Sequence, residues 1–266
     1  MILPITRWTL RQRRTSTIWW SIAVSAFILL NMVFYPSFKD QAAELEKTFE
    51  NLPSSAVQFL GGSTDFFSPV GFLNSQVFFI MLPMLLGILA VGLGASLLAR
   101  EEQDGTIETL LARPVSRSNV LASKALAGVI ILSFVTFCAC LTTILSGKAV
   151  GLAVSGWTIT AGYLVCFVMC LCFGTISYLF TALGKARGAA IGIGALAALG
   201  GYILTSLAGT VDWLSSFAKL MPFYYYQPET LLRGAYDWSN LIYYGVVIVA
   251  CATAAWYVFN HRDIDS

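Results

Sequence analysis

Charged residues are scarce in this sequence, and that scarcity sets the class of protein. Only 11% of the 266 residues are charged, 57% are hydrophobic and the mean hydropathy is +0.74, whereas soluble domains carry about 25% charged residues. Six long apolar runs contain no charge at all, which disfavours an ion channel or a secondary transporter, because such pathways are normally marked by ionisable residues. We therefore expect a single membrane domain over residues 1–266, without a sizeable soluble domain or a nucleic-acid partner.

Signatures of catalysis and metal binding are also lacking. The sequence has one histidine, His261, close to the end of the chain. It has no Gly-x-x-x-x-Gly-Lys-Ser/Thr motif, so it cannot hydrolyse ATP by the usual phosphate-binding loop. We predict no catalytic residue, no metal site and no disulfide framework. The cysteines all lie in apolar runs, where cysteine behaves as a small apolar residue; they are Cys138, Cys140, Cys166, Cys170, Cys172 and Cys251.

The apolar runs predict an all-α protein with six transmembrane helices. Each run approaches or exceeds the ~20 residues needed to cross the hydrocarbon of a bilayer. The predicted spans cover about 18–35, 70–99, 125–145, 157–183, 189–207 and 241–259. Of the 16 lysines and arginines, 11 fall on the side that carries both termini and 5 on the other. The positive-inside rule then predicts a multi-pass protein of the plasma membrane with both termini in the cytosol.

Two amphipathic segments flank the first span. Arg7, Arg11 and Arg14 share one face of a predicted helix that also carries Trp8, which is typical of a helix lying among lipid headgroups. On the other side of the span, apolar residues recur every three or four positions over 38–52. This pattern predicts a helix on the outer membrane surface. Packing explains that helix best, and contact with a substrate or an accessory protein stays open.

Small residues concentrate in the fifth span. Ala190, Gly194 and Ala198 form a small-x-x-x-small series, and Gly188 with Gly192 forms another. Small residues let helix backbones approach closely in lipid. We predict that this helix lies at a dimer interface or at the most crowded position within the chain.

The longest polar interval on the predicted cytosolic side follows the second span. Gly105 and Pro114 are helix breakers within it, and the residues between them are long enough for two helical turns. Ile107, Leu110 and Leu111 fall at i, i+3 and i+4 and form one apolar face. A short amphipathic helix outside the membrane needs a protein surface on which to dock.

The residue order in this interval resembles a known family. After a long apolar span come Arg100-Glu101-Glu102, then Gly105-Thr106-Ile107-Glu108-Thr109-Leu110-Leu111-Ala112, then Pro114-Val115-Ser116-Arg117. This run is similar to the coupling helix of the permease subunit in type-2 ATP-binding-cassette (ABC) transporters. The resemblance implies a separate cytosolic ATPase subunit that binds ATP and Mg²⁺ and receives this loop in a groove. The implied contact residues are Glu101, Glu102, Gly105, Thr106, Ile107, Glu108, Leu110, Leu111, Pro114 and Arg117.

The same resemblance extends to the rest of the chain. It implies a helix before the first span, a second copy or a related permease as partner, and export of a hydrophobic or amphipathic substrate. It also implies short re-entrant helices on the outer side between spans five and six, where the aromatic segment 222–226 lies; composition alone supports only an interfacial loop there. The alternative is a non-transporting subunit of a membrane complex, such as a sensor or an assembly factor.

Overall fold

The computed structural model describes residues 2–49, 68–99, 116–208 and 212–262. Throughout these ranges the regular secondary structure is helical, and six helical segments are long and apolar enough to cross a membrane. They overlap the six predicted spans. The predicted all-α class with six apolar helices is therefore confirmed, while the side of the membrane on which each loop lies stays a prediction.

The first helix, α1, runs without interruption over Ile2–Phe49. Its 48 residues correspond to about 72 Å at 1.5 Å per residue, more than twice the ~30 Å of hydrocarbon that a span must cross. The sequence predicts a separate interfacial helix, a first span and an outer helix at 38–52, but the structure joins the first two, and the third as far as Phe49, into one helix. The first two are joined because no glycine or proline lies between Ile5 and Tyr35, so nothing stops the helix there. The outer segment is joined through Pro36, which lies inside the helix and does not end it.

The second span is built from several pieces. Helix α2 covers Pro69–Leu73, with the Ser68 hydroxyl accepting from the Gly71 amide at its start. A π-helical turn, Asn74–Phe78, follows, and α3 covers Met81–Ser96. The break between them lies one turn before Pro83, which has no amide hydrogen to donate to the carbonyl four residues back.

The remaining helices are shorter or interrupted in similar ways. Helices α4 and α5 begin after serine caps, and the fifth span contains a π-helical turn at Leu196–Gly200. The elements that complete the fold are α4 (Arg117–Ala149), α5 (Gly156–Ala182), α6 (Arg187–Ala195), α7 (Gly201–Ala208), a 3-10 turn (Asp212–Leu214), α8 (Ser215–Ala218), a second 3-10 turn (Pro222–Tyr225), α9 (Pro228–Leu232) and α10 (Asn240–His261). Short helices thus occupy the segment between spans five and six; that they are re-entrant and lie on the outer side stays a prediction.

Hydrogen bonds between α1 and α4 fix the direction of these two helices. The pair Thr6 and Ser123 and the pair Ser25 and Thr142 are both 117 residues apart, so the helices run parallel and in register. Helices α3 and α5 are also parallel, because two hydrogen bonds between them join residues 87 apart. Contacts between α4 and α5 run the opposite way, with Tyr178 against Leu121 and Tyr163 against Thr143. The first four spans therefore alternate in direction.

The core of the bundle lies around the second and fourth spans. In the most apolar stretch of each of these, 61% of the residues are buried, against 22% in α1, 17% in the fifth span and 11% in α10. Large exposed side chains, including Trp19, Val33, Leu196 and Ile242, cover the outer helices. The second span, which leads directly into the predicted coupling loop, is thus held on several sides.

Candidate functional site

The predicted coupling loop connects α3 to α4. Residues 100–115 lie outside the described residues, and with them all the predicted contact positions from Glu101 to Pro114. Its two flanks are described, ending at Ala99 and resuming at Ser116. Arg117, the last predicted contact residue, is the first residue of α4 and is half-buried. The contacts of the two flanks show which helices a movement of this loop would displace.

The beginning of α4 is attached to the end of α10. The Arg117 guanidinium donates a hydrogen bond of 2.6 Å to the main-chain carbonyl of Arg262. One residue further on, the Ser118 hydroxyl donates to Asn260 Oδ1 at 3.1 Å and accepts from the Trp256 indole at 3.0 Å. These three bonds hold the flank that follows the loop against the last span.

Arg262 extends this attachment to a third element. Its side chain donates to the Ala182 carbonyl at 3.3 Å, at the end of α5, and covers the turn that leads to α6. Gly184 in that turn has φ +79°, and an added Cβ there would lie 2.5 Å from the guanidinium carbon of Arg262. The left-handed backbone favours glycine at this position. This turn connects span four to span five.

The N-terminal part of α1 contacts both flanks of the loop. Arg13 donates to the carbonyl and the hydroxyl of Ser96 at 3.3 and 2.9 Å, near the end of α3. The Thr6 hydroxyl donates to the Ser123 carbonyl at 3.1 Å, in the second turn of α4. The first helix therefore connects the residues that precede the loop with those that follow it.

A buried lysine lies at the same end of the bundle. The Lys124 side chain is 1% exposed, and its ammonium group lies 4.9 Å from the centre of the Trp8 ring. A cation over an aromatic face is stabilised by the ring quadrupole. From the sequence alone, Lys124 is only one of the 11 basic residues on the predicted cytosolic side. The spacing of residues within one helix does not reveal their partners on another helix. The contact between Lys124 and Trp8 therefore could not be predicted from the sequence.

Three arginines of α1 point away from these contacts. Arg7, Arg11 and Arg14 are exposed, whereas Arg13 between them is half-buried. Their exposure agrees with the shared basic face predicted from their spacing. Contact of this face with lipid headgroups stays a prediction.

The small residues of the fifth span pack within the chain. Ala190 and Gly194 are buried, and Ala198 is half-buried against the core. A Cβ added at Gly194 would collide with the Ser177 hydroxyl and lie 3.0 Å from Val91 Cγ1. These contacts lie within the chain, although the fifth span as a whole is much less buried than the second and fourth spans. A dimer contact for this helix stays a prediction.

Helices α3 and α5 approach each other closely at Gly94 and Gly174. A Cβ added at Gly94 would collide with the Gly174 carbonyl, and one added at Gly174 would lie 3.0 Å from the Ala90 carbonyl oxygen. Thr181 in α5 also donates to the Gly94 carbonyl, at 3.4 Å. Backbones this close leave little space for sliding, because close-packed interiors transmit displacement rather than absorb it.

The opposite end of the bundle carries tyrosines that donate to main-chain carbonyls. Tyr226 donates to Phe78 at 2.9 Å and joins the segment after span five to the second span. Burial raises the pKa of Tyr226 above the usual range for a phenol, and raises the pKa of Tyr236 to about 12. Further tyrosine hydroxyls at this end donate to main-chain carbonyls: Tyr225 to Lys219, Tyr236 to Tyr225, Tyr243 to Leu220 and Tyr244 to Pro222.

Apolar helices long enough to cross a bilayer, joined by hydrogen bonds at both ends of the bundle, are typical of a multi-pass membrane protein. The family model of ABC-2 family transporter proteins matches residues 3–264. The chain belongs to this family and is a membrane subunit of an ABC transporter, not itself the ATPase. No curated protein is significantly similar to the chain in sequence.

Proposed function

We propose that this permease is coupled to a separate cytosolic ATPase through the loop at 101–117. The observation that carries the proposal is the arrangement of the flanks. Arg13 holds the end of α3, while Arg117 attaches the start of α4 to Arg262. A force applied to the loop would therefore reach the first, second, third and last spans together.

The proposed docking surface is the apolar face formed by Ile107, Leu110 and Leu111. These side chains are expected to enter a groove of the ATPase, while Glu102 lies at the rim, where a charge affects approach and register more than affinity. Gly105 and Pro114 are predicted to end this helix on either side. ATP and Mg²⁺ bind the ATPase, whose closure pushes this helix against the membrane domain.

The proposed direction of transport is export. The uncharged cores suit a hydrophobic or amphipathic substrate, because a charged one would cross the apolar spans without partners. We propose that two permeases, identical or related, form the pathway.

Both termini are proposed to lie in the cytosol, on the same side as the coupling loop. Arg13, near the N-terminus, contacts the flank that precedes this loop, and Arg262, near the C-terminus, contacts the flank that follows it.

Co-purification with the native ATPase tests the coupling proposal. Leu111→Asp places a carboxylate in the proposed apolar contact, which costs a few kcal/mol when the charge is not relieved, and should remove the ATPase from the complex. Thr109→Asp is the matched control, because position 109 lies on the opposite side of the predicted helix. Loss of ATPase from both variants, or from neither, would place the docking surface elsewhere.

A further inference from the structure

A cavity of about 250 Å³ lies near the tyrosine-rich end of the bundle. It is formed by the residue just after the π-helical turn of the second span, by α7, and by the segment around the second 3-10 turn. The lining residues are Phe79, Tyr202, Thr205, Ser206, Phe223, Tyr226 and Pro228. All of them are uncharged at neutral pH. An engineered cavity of ~150 Å³ binds benzene, so this cavity has room for a substituted ring.

Aromatic rings form a continuous wall of the cavity. The Phe79 and Tyr202 rings meet edge to face at 6.1 Å, the Tyr202 and Phe223 rings at 5.6 Å, and the Phe223 and Tyr226 rings at 6.3 Å. Phe223 is also stacked on Phe173 at 5.8 Å. Because each ring is fixed by a neighbour, the wall is formed before any ligand arrives. Aromatic walls of this kind favour flat, ring-bearing ligands.

The hydroxyl groups of the lining divide into two kinds. Thr205 donates to the Gly201 carbonyl at 2.7 Å, and Tyr226 donates to the Phe78 carbonyl at 2.9 Å. Within the part of the chain that the structure describes, the Tyr202 and Ser206 hydroxyls make no hydrogen bond. They lie four residues apart on one face of α7 and are half-buried. Two hydroxyls beside an apolar wall can orient one polar group of a ligand.

We propose that this cavity binds an uncharged amphiphile with a single ring and a hydroxyl or carbonyl group. The ring lies against Phe79 and Phe223, and the polar group bonds to Tyr202 and Ser206. A charged ligand is rejected, because no lining residue could pair with its charge. Only the further step, that this ligand is the transported substrate, rests on the proposed function; binding itself needs no ATPase.

Photolabelling of the full chain in phosphatidylcholine nanodiscs tests the proposal. The probe is a benzyl alcohol that carries a trifluoromethyl diazirine on its ring, and mass spectrometry locates the label. The expected result is saturable labelling of the peptides that contain Tyr202 and Phe223. The benzoate with the same ring and diazirine should label these peptides weakly. Equal labelling by the benzoate, or labelling that does not saturate, would overturn the proposal.

Two variants make the assay specific for the cavity. Ser206→Phe fills the space, so labelling should fall by about tenfold or more, as expected when a ring no longer fits. Leu199→Phe adds the same ring outside the cavity, where Leu199 is 56% exposed, and should label like the native chain. Equal labelling of the two variants would contradict the proposal.

A milder variant covers the case in which Ser206→Phe does not fold. Tyr202→Phe keeps the ring and removes one hydroxyl, so the affinity for the benzyl alcohol should fall by about two- to tenfold, the usual range for a lost hydrogen bond. The affinity for the matching toluene probe should stay unchanged. An unchanged affinity for the alcohol would exclude Tyr202 as its partner and overturn the proposal.

A diazirine-bearing straight-chain alcohol tests whether the ligand needs a ring. Labelling by this probe equal to that by the benzyl alcohol would indicate a lipid chain in the cavity and would contradict the proposal.

Discussion

Arg117 donates a hydrogen bond of 2.6 Å to the main-chain carbonyl of Arg262, 145 residues further along the chain. The first residue of α4 is thereby attached to the residue that follows the last span. The Arg262 side chain continues to Ala182, so one arginine pair connects α4, α10 and α5. A loop that moves Arg117 cannot leave the rest of this end unchanged.

Arg117→Ala should lower the stability of the membrane domain by about 1 kcal/mol. Hydrogen bonds from charged groups contribute about 1.5–3 kcal/mol, and the half-exposed position of Arg117 reduces that value through solvent screening. Thermal unfolding in detergent measures the change. Arg187→Ala is the control, since Arg187 is exposed. Equal melting temperatures for the two variants would mean that the bond does not hold these helices together.

Gly194→Leu should destabilise the packing of the fifth span within one chain. Its side chain would enter the space occupied by Ser177 and Val91, and overpacking of this kind costs about 1–3 kcal/mol. Gly192→Leu is the matched control, because Gly192 is exposed and a Cβ there meets nothing within 4 Å. Unfolding and crosslinking are measured on both variants.

The pair of variants also separates the two roles predicted for this helix. Loss of stability in Gly194→Leu with an intact dimer would support intramolecular packing. A weakened dimer in Gly192→Leu alone would place the interface on the exposed face of the helix. A stable Gly194→Leu with a weakened dimer would contradict the intramolecular role.

The predicted orientation of the chain rests on the distribution of its positive charges and is tested by cysteine accessibility. Cysteines introduced at Ser116 and Ser266 should react with a membrane-impermeant maleimide only after the cytosolic side is opened. A cysteine at Ser54 should react in intact cells. The parent chain, with its native cysteines, gives the background. Labelling of position 54 from the cytosol alone would invert the orientation.

The sequence predicts the six apolar helices well, because length and the absence of charge suffice for each one separately. It does not predict that α1 is one helix of 48 residues. The polarity pattern changes at Thr17 and at Pro36, which alters the face of the helix that is apolar. At Thr17 no helix-breaking residue accompanies this change. At Pro36 the helix continues, with the proline exposed. Amphipathicity shows the environment of a helix, not where the helix ends.

Contacts between distant parts of the chain are the other feature that the sequence leaves open. Arg117 is predicted from a motif, but its partner Arg262 lies 145 residues away, and no periodicity links the two. From the sequence, Lys124 is only a charge beside a loop; its contact with the Trp8 ring of α1 is seen only in the structure. For Gly194 the small size predicts a close approach, while the identity of the neighbours, Val91 and Ser177, depends on the tertiary fold.

The central claim, that the loop at 101–117 docks on an ATPase, is tested most directly by photocrosslinking in native membranes. Benzoylphenylalanine is placed at Leu111 on the proposed docking face, and in a second variant at Thr109 on the opposite face. Position 111 should crosslink strongly to an ABC ATPase, and position 109 weakly. Absence of an ATPase crosslink at position 111, or equal crosslinks at both positions, would contradict the proposed coupling.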